Sequence, residues 1–435
     1  MNKNKVKNGQ KKNELSSVQS FDKEIKMAIT REEALRQIHV EVEIENTGID
    51  FSPELYSKLD YTKYQEQIRC LFDLNFKKLV DTRLPYGFSF NSTGFANRLL
   101  WNPNSEVKIV KEGEKFFLTK GKDGKDFNEE ITFFERPSYY NQKTSDGKEM
   151  GRIAQARTPK GRIFIVYSNE CSLKDKGLDC LFCNINDTKR RFEKVDKIEW
   201  KNPREIGETV AAAYEDGFHG FNLTGGFIPE RREVEYYIDV IEAVKENFKG
   251  NDEDIHGMAC VGAPQDLAVI DQYREAGYQH IATNMEVWDE NLFKYICPGK
   301  EQFCGGRANW LKTLRHEVEV FGRGKVRSLF VGGLETKVSL LEGIETLSDL
   351  GVIACSEVWK PCIGSALEGH RSPETEWHID VLEKTYQIHK KNGFSLEDYY
   401  YTLNIDNPLA HLYMLDGQTL PWQKSTDNHT IYEDI

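Results

Sequence analysis

The sequence predicts an α/β protein: six strand–helix units in succession, preceded by a smaller extension that mixes helix with antiparallel strand. Three observations carry this reading. From residue 163 to residue 392, short apolar, β-rich runs alternate with amphipathic stretches of helical period. Residues 85–160 instead show closely spaced runs joined by turn signals. The first apolar run, 163–167 (IFIVY), breaks into a polar loop that carries Cys171, Cys180 and Cys183.

Residues 1–25 are rich in Lys, Asn and Ser, with too little apolar content to offset the entropy of ordering, and are expected to be disordered. An extension over 26–160, a core over 161–392 and a tail over 393–435 follow. Thr30 with Glu33 forms a capping-box pattern that starts a helix through about Val40. A second helix is predicted over 62–80, with Ile68, Leu71, Phe72, Phe76 and Leu79 on one face and Cys70 as an ordinary buried residue. Runs at 106–110 and 115–119 flank Glu112-Gly113-Glu114 as a hairpin, and 122–125 (KDGK) turns toward a strand at 131–134. The aromatic stretch after it, 137–140 (PSYY), packs on the main domain or forms part of a lid.

In the core, strands are predicted at 163–167, 220–223, 256–261, 280–284, 326–331 and 352–358. Helices are predicted at 203–215, 232–247, 264–276, 308–320, 337–350 and 374–392. Parallel strands joined by right-handed helical crossovers close into a barrel or an open doubly wound sheet, with the functional site at the C-terminal strand ends. The cysteine loop follows the first strand at that edge.

The formal charge of −12 disfavours non-specific binding to nucleic acid or to an anionic membrane. There is no run of eighteen apolar residues, and the N-terminal MNKNKVKNGQKKNE lacks the apolar stretch of a signal peptide, so a cytoplasmic protein is expected. Nine cysteines, an odd number with one CxxC pair, point to metal binding or reactivity rather than to a disulfide framework.

Three of those cysteines fall within thirteen residues. Three thiolates on one loop can hold three irons of a [4Fe–4S] cluster and leave the fourth open. A structural zinc site would want a fourth protein ligand, and no histidine lies within thirty residues on either side. A Cys180–Cys183 redox disulfide leaves Cys171 without a role, and three unrelated buried thiols fit poorly with CxxC spacing on a polar loop.

With these features in this order, residues 161–392 resemble the radical S-adenosylmethionine (SAM) enzymes. The resemblance implies a partial (β/α)6 barrel of the TIM type, with Cys171, Cys180 and Cys183 holding a [4Fe–4S] cluster whose open iron chelates SAM. Phe182, just before the last cysteine, would lie near the adenine. The stretch 222–226 (NLTGG), with Thr224, Gly225 and Gly226, resembles the family's glycine motif, where backbone close to the amino group of SAM explains residues without a β-carbon. Asn284 and Glu286, in TNME at 283–286, stand where relatives contact the SAM ribose or amino acid, and Gly333, in VGGLE at 331–335, belongs to the segment beside the adenine. Two departures stand out. Eight residues separate the first two cysteines, giving CX8CX2C where the common spacing has three, and Phe227 replaces a glutamate that often contacts the SAM amino group.

The resemblance further implies one-electron reduction by a donor such as a flavodoxin or ferredoxin, cleavage of SAM to methionine and a 5′-deoxyadenosyl radical, and hydrogen abstraction from a small-molecule substrate under anaerobic conditions. Methyl or sulfur transfer with an auxiliary cluster is the alternative within the family, and a non-catalytic iron–sulfur scaffold the alternative outside it. Arg327, inside the apolar run VRSLFVGG, needs a partner and is expected to pair with Glu286 or to clamp the SAM carboxylate. Lys360 and His370 face the same mouth or solvent. Cys260, Cys297, Cys304, Cys355 and Cys362 either converge on a second cluster or are ordinary buried thiols.

Overall fold

Strand follows strand in sequence order across the central sheet: Ile163–Val166, Phe221–Thr224, Gly257–Cys260, His280–Ala282, Val326–Gly332 and Val352–Val358, each parallel to the next. The short edge strand Gln155–Ala156 runs antiparallel to the first. This computed structural model describes residues 29–67, 84–185, 200–404 and 406–420. The helices Pro203–Glu215, Glu230–Asn247, Ala268–Ala276, Gly306–Phe321 and Lys337–Leu350 return the chain between strands, and Thr375–Lys391 follows the last. The sheet curls into a partial (β/α)6 barrel, as expected from the alternation.

Local chemistry sets the boundaries. Asn202 caps the helix that begins with Pro203, reciprocated by Glu205, and Gly351 in the left-handed region ends the helix Lys337–Leu350. The first helix, capped by Thr30 and Glu33, runs to Thr47 rather than to Val40, and Gly48, at φ 77°, stops it. Within it Glu41 is fully buried against His411 (2.6 Å) and Asn97 (3.1 Å). The helix predicted from residue 62 does not start there: Tyr64 and Glu66 bridge to Glu135 and Pro85, so this backbone is drawn into the extension sheet. The rest of that prediction, with Cys70, lies outside the described residues, as do residues 1–25. Two further helices, Glu290–Ile296 capped by Asp289 and Pro298–Phe303 opened by its own proline, occupy the link after the fourth strand.

The extension forms a six-stranded, mainly antiparallel sheet with the predicted hairpin at Lys108–Glu112 and Lys115–Lys120. Its core merges with the sixth barrel strand. Side chains alternate across a strand, so Ile353 and Cys355 join the cluster of Phe88 and Phe116 of the extension and Tyr399 of the tail, while Val352 and Ala354 belong to the barrel core. The aromatic segment Ser138–Asn141 packs on the barrel: Tyr139 is fully buried and meets Phe218 edge-on.

The tail contains two described helices, Leu396–Thr402 and Pro408–Leu415. The first closes the end of the barrel opposite the cysteine loop. Tyr401 stacks on His256 and His280, at the N-terminal ends of the third and fourth strands, with ring centroids 4.1 and 5.3 Å apart. The helix Leu396–Thr402 thus forms a floor to the barrel.

His389 ties three layers together. Its Nε2 must donate to the Ala354 carbonyl at 2.8 Å, so Nδ1 accepts from the Tyr413 hydroxyl at 3.0 Å and the ring is neutral. Burial lowers its pKa to about 4. The unfolded chain therefore binds more protons than the fold between pH 6.5 and 4, and stability falls as pH is lowered through that window. About 2 kcal/mol should be lost between pH 7 and pH 5 from this group. Urea unfolding at the two pH values should show that loss shrinking in His389→Gln; an equal acid loss in both proteins would show that His389 does not titrate this way.

Candidate functional site

The cysteine loop leaves the first strand at Tyr167 and is pressed against the end of the second. The Tyr167 amide donates to the Thr224 carbonyl at 2.9 Å, and the Tyr167 hydroxyl donates to the Gly226 carbonyl at 3.1 Å. A β-carbon on Gly225 would lie 2.4 Å from the Tyr167 ring, and one on Gly226 would lie 1.9 Å from the Glu170 carbonyl oxygen. The two glycines thus admit the backbone that carries Cys171. The Ser172 amide and hydroxyl both donate to the Phe227 carbonyl, at 2.8 and 3.1 Å, which fixes the residue after that cysteine.

The other side of the loop is held by later segments. The Leu181 amide donates to Ile296 (2.9 Å), Asn184 Nδ2 donates to the Ile363 carbonyl (3.2 Å), and a β-carbon on Gly299 would meet the Leu178 carbonyl at 2.4 Å. Cys171, Cys180 and Cys183 are all half-buried. Burial first, then the neighbouring Cys180 and Cys171, pushes the Cys183 thiol upward. Among the described residues no three His, Cys, Asp or Glu groups converge as a site for a single metal ion. A cubane asks for something else, one thiolate at each of three separate irons, and a loop of three spaced thiols with one face open fits it. Phe182 packs, partly buried, on the barrel core.

A fourth thiol, Cys297, is buried against Cys180, and its hydrogen bond lowers the Cys180 thiol. Beyond it stands Lys300, whose Nζ reaches Glu286 Oε1 at 2.9 Å and the Asn284 carbonyl at 3.2 Å. Burial alone would pull this ammonium down, but Glu286 and the thiols of Cys180 and Cys297 outweigh it. Trp310 Nε1 donates to the same Asn284 carbonyl at 2.8 Å. Glu286 has φ 66°, a backbone state of roughly 1 kcal/mol cost for a residue with a β-carbon, and is clamped there by hydrogen bonds with Leu329 and Val331. Strain of this kind gathers at functional positions.

The expected Arg327–Glu286 pair is not formed. Arg327 is buried, with Nη1 donating to the Thr402 carbonyl at 3.1 Å and Nη2 3.6 Å from Cys260 Sγ, while Nε has no partner. The register explains this: Arg327 lies level with Ala282, whereas Glu286 is reached only by the strand's later residues. Gly333, at φ 114°, passes so close to Pro373 that a β-carbon would lie 2.5 Å from its ring. Glu335, in the same segment, accepts from the amides of Trp288 and Asp289 at 2.8 and 2.9 Å and so joins the loops after the fourth and fifth strands. The extra cysteines do not gather. Cys297 and Cys304 lie by the cysteine loop, Cys260 by Arg327, Cys355 in the extension core, and Cys362 beyond the sixth strand. His370 is exposed, whereas Lys360 is half-buried.

Two groups near the loop escaped the sequence reading. Lys300 was visible as the last residue of CPGK, but nothing local says that a lysine turns inward. Glu233 is buried, accepts weakly from the Gly262 amide at 3.4 Å, and has its pKa raised by burial to about 8. It stands at the head of the buried stripe Tyr237, Val240, Ile241 and Val244, and a carboxylate on such a stripe was a readable signal.

No family model matches the chain. It is 25% identical over 265 residues to bacteriochlorophyllide c C-7(1)-hydroxylase of Chlorobaculum limnaeum, covering 57% of this chain and 62% of that protein. It is 27% identical over 178 residues to aminodeoxyfutalosine synthase of Thermus thermophilus, covering 39% of this chain and 42% of that protein. The chain thus spans less than two thirds of the curated relatives it matches. Among solved structures it is similar to methylornithine synthase (PylB), with TM-score 0.41 and 21% identity over 58% of this chain and 68% of that one. The maturase HydG of Carboxydothermus hydrogenoformans gives TM-score 0.41 and 15% identity over 53% and 51%.

The glycine contacts predict that Gly226→Ala displaces the loop at Glu170 and Cys171. Anaerobic reconstitution should give less than half the wild-type iron and sulfide per chain, with the far-ultraviolet spectrum retained. Wild-type iron content in a folded variant would show that the loop does not depend on this contact.

Proposed function

We propose that this chain, a relative of the radical SAM enzymes, cleaves SAM reductively at a [4Fe–4S] cluster held by Cys171, Cys180 and Cys183 and directs the resulting hydrogen abstraction at a small molecule in the barrel mouth. Enzymes of this family use such a cluster together with SAM. The observation that carries the reading is the cysteine loop locked, glycine against backbone, at the C-terminal edge of a parallel partial barrel. When bound, the cluster supplies the one-electron reduction of the sulfonium; the chain's own residues bind, orient and exclude water.

Those residues are assigned as follows. Phe182 offers an apolar face to the adenine, and the segment at Gly333 flanks it. The carbonyls of Thr224 and Gly225 accept from the SAM amino group, a task made necessary by Phe227 in place of a carboxylate. Thr224 can do so with its second lone pair, the first being taken by Tyr167. Glu286, pre-set by Lys300, and Asn284 contact the ribose or the amino acid part. We assign Arg327 a structural role, because its fork is held by Thr402 and Cys260. A one-electron donor such as a flavodoxin or ferredoxin and an oxygen-poor cytoplasm complete the reading. Among the described residues no helix is long and apolar enough to cross a membrane.

The contact between Cys297 and Cys180 favours a second reading, in which four thiolates close all four irons and the protein is a scaffold or carrier. Dithionite and SAM separate the two. The reconstituted wild type should release 5′-deoxyadenosine; replacing Cys171, Cys180 and Cys183 together with Ala should abolish both the brown absorbance and that product, and Cys297→Ala should keep both. Loss of the cluster in Cys297→Ala, with no product from the wild type, would establish the scaffold instead.

Glu286→Gln would leave the Lys300 ammonium buried without its carboxylate. SAM affinity should fall by about 2–4 kcal/mol, roughly thirty-fold to a thousand-fold, while Arg327→Met should lower the unfolding midpoint and leave affinity per folded molecule unchanged. Equilibrium SAM binding to the reconstituted variants reads this directly, and an unchanged constant for Glu286→Gln would remove that residue from the site.

A further inference from the structure

Two guanidinium groups are enclosed inside the barrel among neutral partners. Ile163, Phe221, Ile281 and Val326 pack in the layer between the sheet and its helices, so their neighbours Arg162, Asn222, His280 and Arg327 face the barrel interior. Arg162 and Asn222 are fully buried, and Arg327 and His280 are 4% and 5% exposed. Arg162 Nε and Nη2 donate to Asn222 Oδ1 at 3.0 and 2.6 Å, and Nη2 donates to the Phe221 carbonyl at 2.8 Å. The same guanidinium lies 6.0 Å from the centroid of the Tyr401 ring, which stacks on His280. The residue after Tyr401 supplies the carbonyl that Arg327 Nη1 meets at 3.1 Å. Register sets the two arginines in successive inward layers: Asn222, the partner of Arg162, is level with Met258 and His280, and Arg327 is level with Ala282, two residues nearer the mouth.

Among the described residues no carboxylate meets either arginine: their partners are an amide oxygen, two backbone carbonyls and the Cys260 thiol. Glu397 and Asp254, which act on Tyr401 from the outer side of the floor, are exposed. A guanidinium only donates, so Asn222 turns its oxygen toward Arg162 and its Nδ2 away. That leaves Arg162 Nη1, Asn222 Nδ2 and Arg327 Nε as buried donors without a partner. A water accepts from such donors but leaves both charges uncompensated, and enclosed charge is ordinarily paired. Two positive charges and three spare N–H groups on one interior have an anion as their complement.

We propose that the barrel interior at Arg162, Asn222 and Arg327 binds one small anion of the carboxylate class. Guanidinium groups suit such a ligand because their N–H groups and their charge act together. The face that carries Asn222 continues, two residues on, to Thr224 at the edge assigned to SAM. The acid group of a substrate entering at the mouth therefore comes to rest beneath the SAM contacts, and a free monovalent ion of similar size has the same chemistry. The inference rests on the proposed function only in that the barrel mouth receives a substrate, and it concerns binding, which needs no reductant.

The test is calorimetric titration of the full chain, anaerobic and reconstituted, with sodium acetate and with sodium chloride, in a buffer whose only other anion is a bulky sulfonate. Saturating SAM is present throughout, so that the open iron is occupied. At least one of the two anions should saturate a single site and raise the unfolding midpoint above that in sulfonate of equal ionic strength. Asn222→Asp supplies a carboxylate where Arg162 already meets Asn222 Oδ1; it should weaken the anion at least ten-fold and remove its effect on the midpoint. Arg162→Gln should weaken binding at least ten-fold as well, and the Asn222→Asp result stands where that variant does not fold. Affinity that rises from acetate to hexanoate supports a site open to the mouth and filled by a substrate's acid group. Tightest binding by chloride, with one such ion per chain released on denaturation, supports a resident ion at the same place. Saturable binding by neither anion, or equal binding by wild type and Asn222→Asp, would overturn the assignment. Failure of SAM to bind or to yield 5′-deoxyadenosine would count against the proposed function and leave the comparison with Asn222→Asp untouched.

Discussion

The distance between two pieces of backbone governs this molecule. Glu170 and Gly226 approach so closely that a single β-carbon on the glycine would overlap a carbonyl oxygen, and the residue that follows Glu170 is the first of the three thiols. Close approach lets the end of the second strand serve as the wall against which the loop is set. The loop has little regular structure of its own beyond the turn Ser172–Asp175. Its shape is therefore imposed from outside, by Phe227, Ile296, Gly299 and Ile363, four positions spread across the barrel mouth. The positions of the three thiols therefore depend on residues outside the loop that carries them.

The same bracing explains which parts of the chain could be read in advance. Six strand–helix units were legible because each strand is a short apolar run bounded by turns and each helix carries a buried stripe, signals that are local in sequence. The cysteine loop was legible through its spacing. The partner of Glu286 was not. Arg327 looked suitable because it interrupts an apolar strand, but strand register sets it level with Ala282, while Lys300 reaches Glu286 from the helix Pro298–Phe303. The glycines were found and their local reason was different: the space beside them is filled by Tyr167 and Glu170. In the extension, the start of the predicted helix at 62 lost to strand bridges from residues far away, which no local period reveals.

Lys300 also changes how the charge balance of the mouth is understood. A lysine so near two thiols places positive charge beside them, and Glu286 keeps it in place. The loop after the fourth strand thus contributes electrostatics to the first, although three strands of the barrel lie between them in sequence. Glu335 does the same mechanically, by bonding two amides of that loop from the segment after the fifth strand. The later strands act on the cysteines through loops that touch one another.

The floor of the barrel has a consequence in time. Tyr401 and its helix close the end beneath the third and fourth strands, and Tyr399 and Tyr413 cover one face of the sixth, yet all three follow the six parallel strands in sequence. A nascent polypeptide that has left the ribosome as far as residue 392 already carries every strand and every thiol of the cysteine loop. It still lacks Tyr401 beneath the third and fourth strands and the share of cover that Tyr399 and Tyr413 give to Ile353 and Cys355. Enclosure of the barrel therefore waits for helices that are synthesised after all six of its parallel strands.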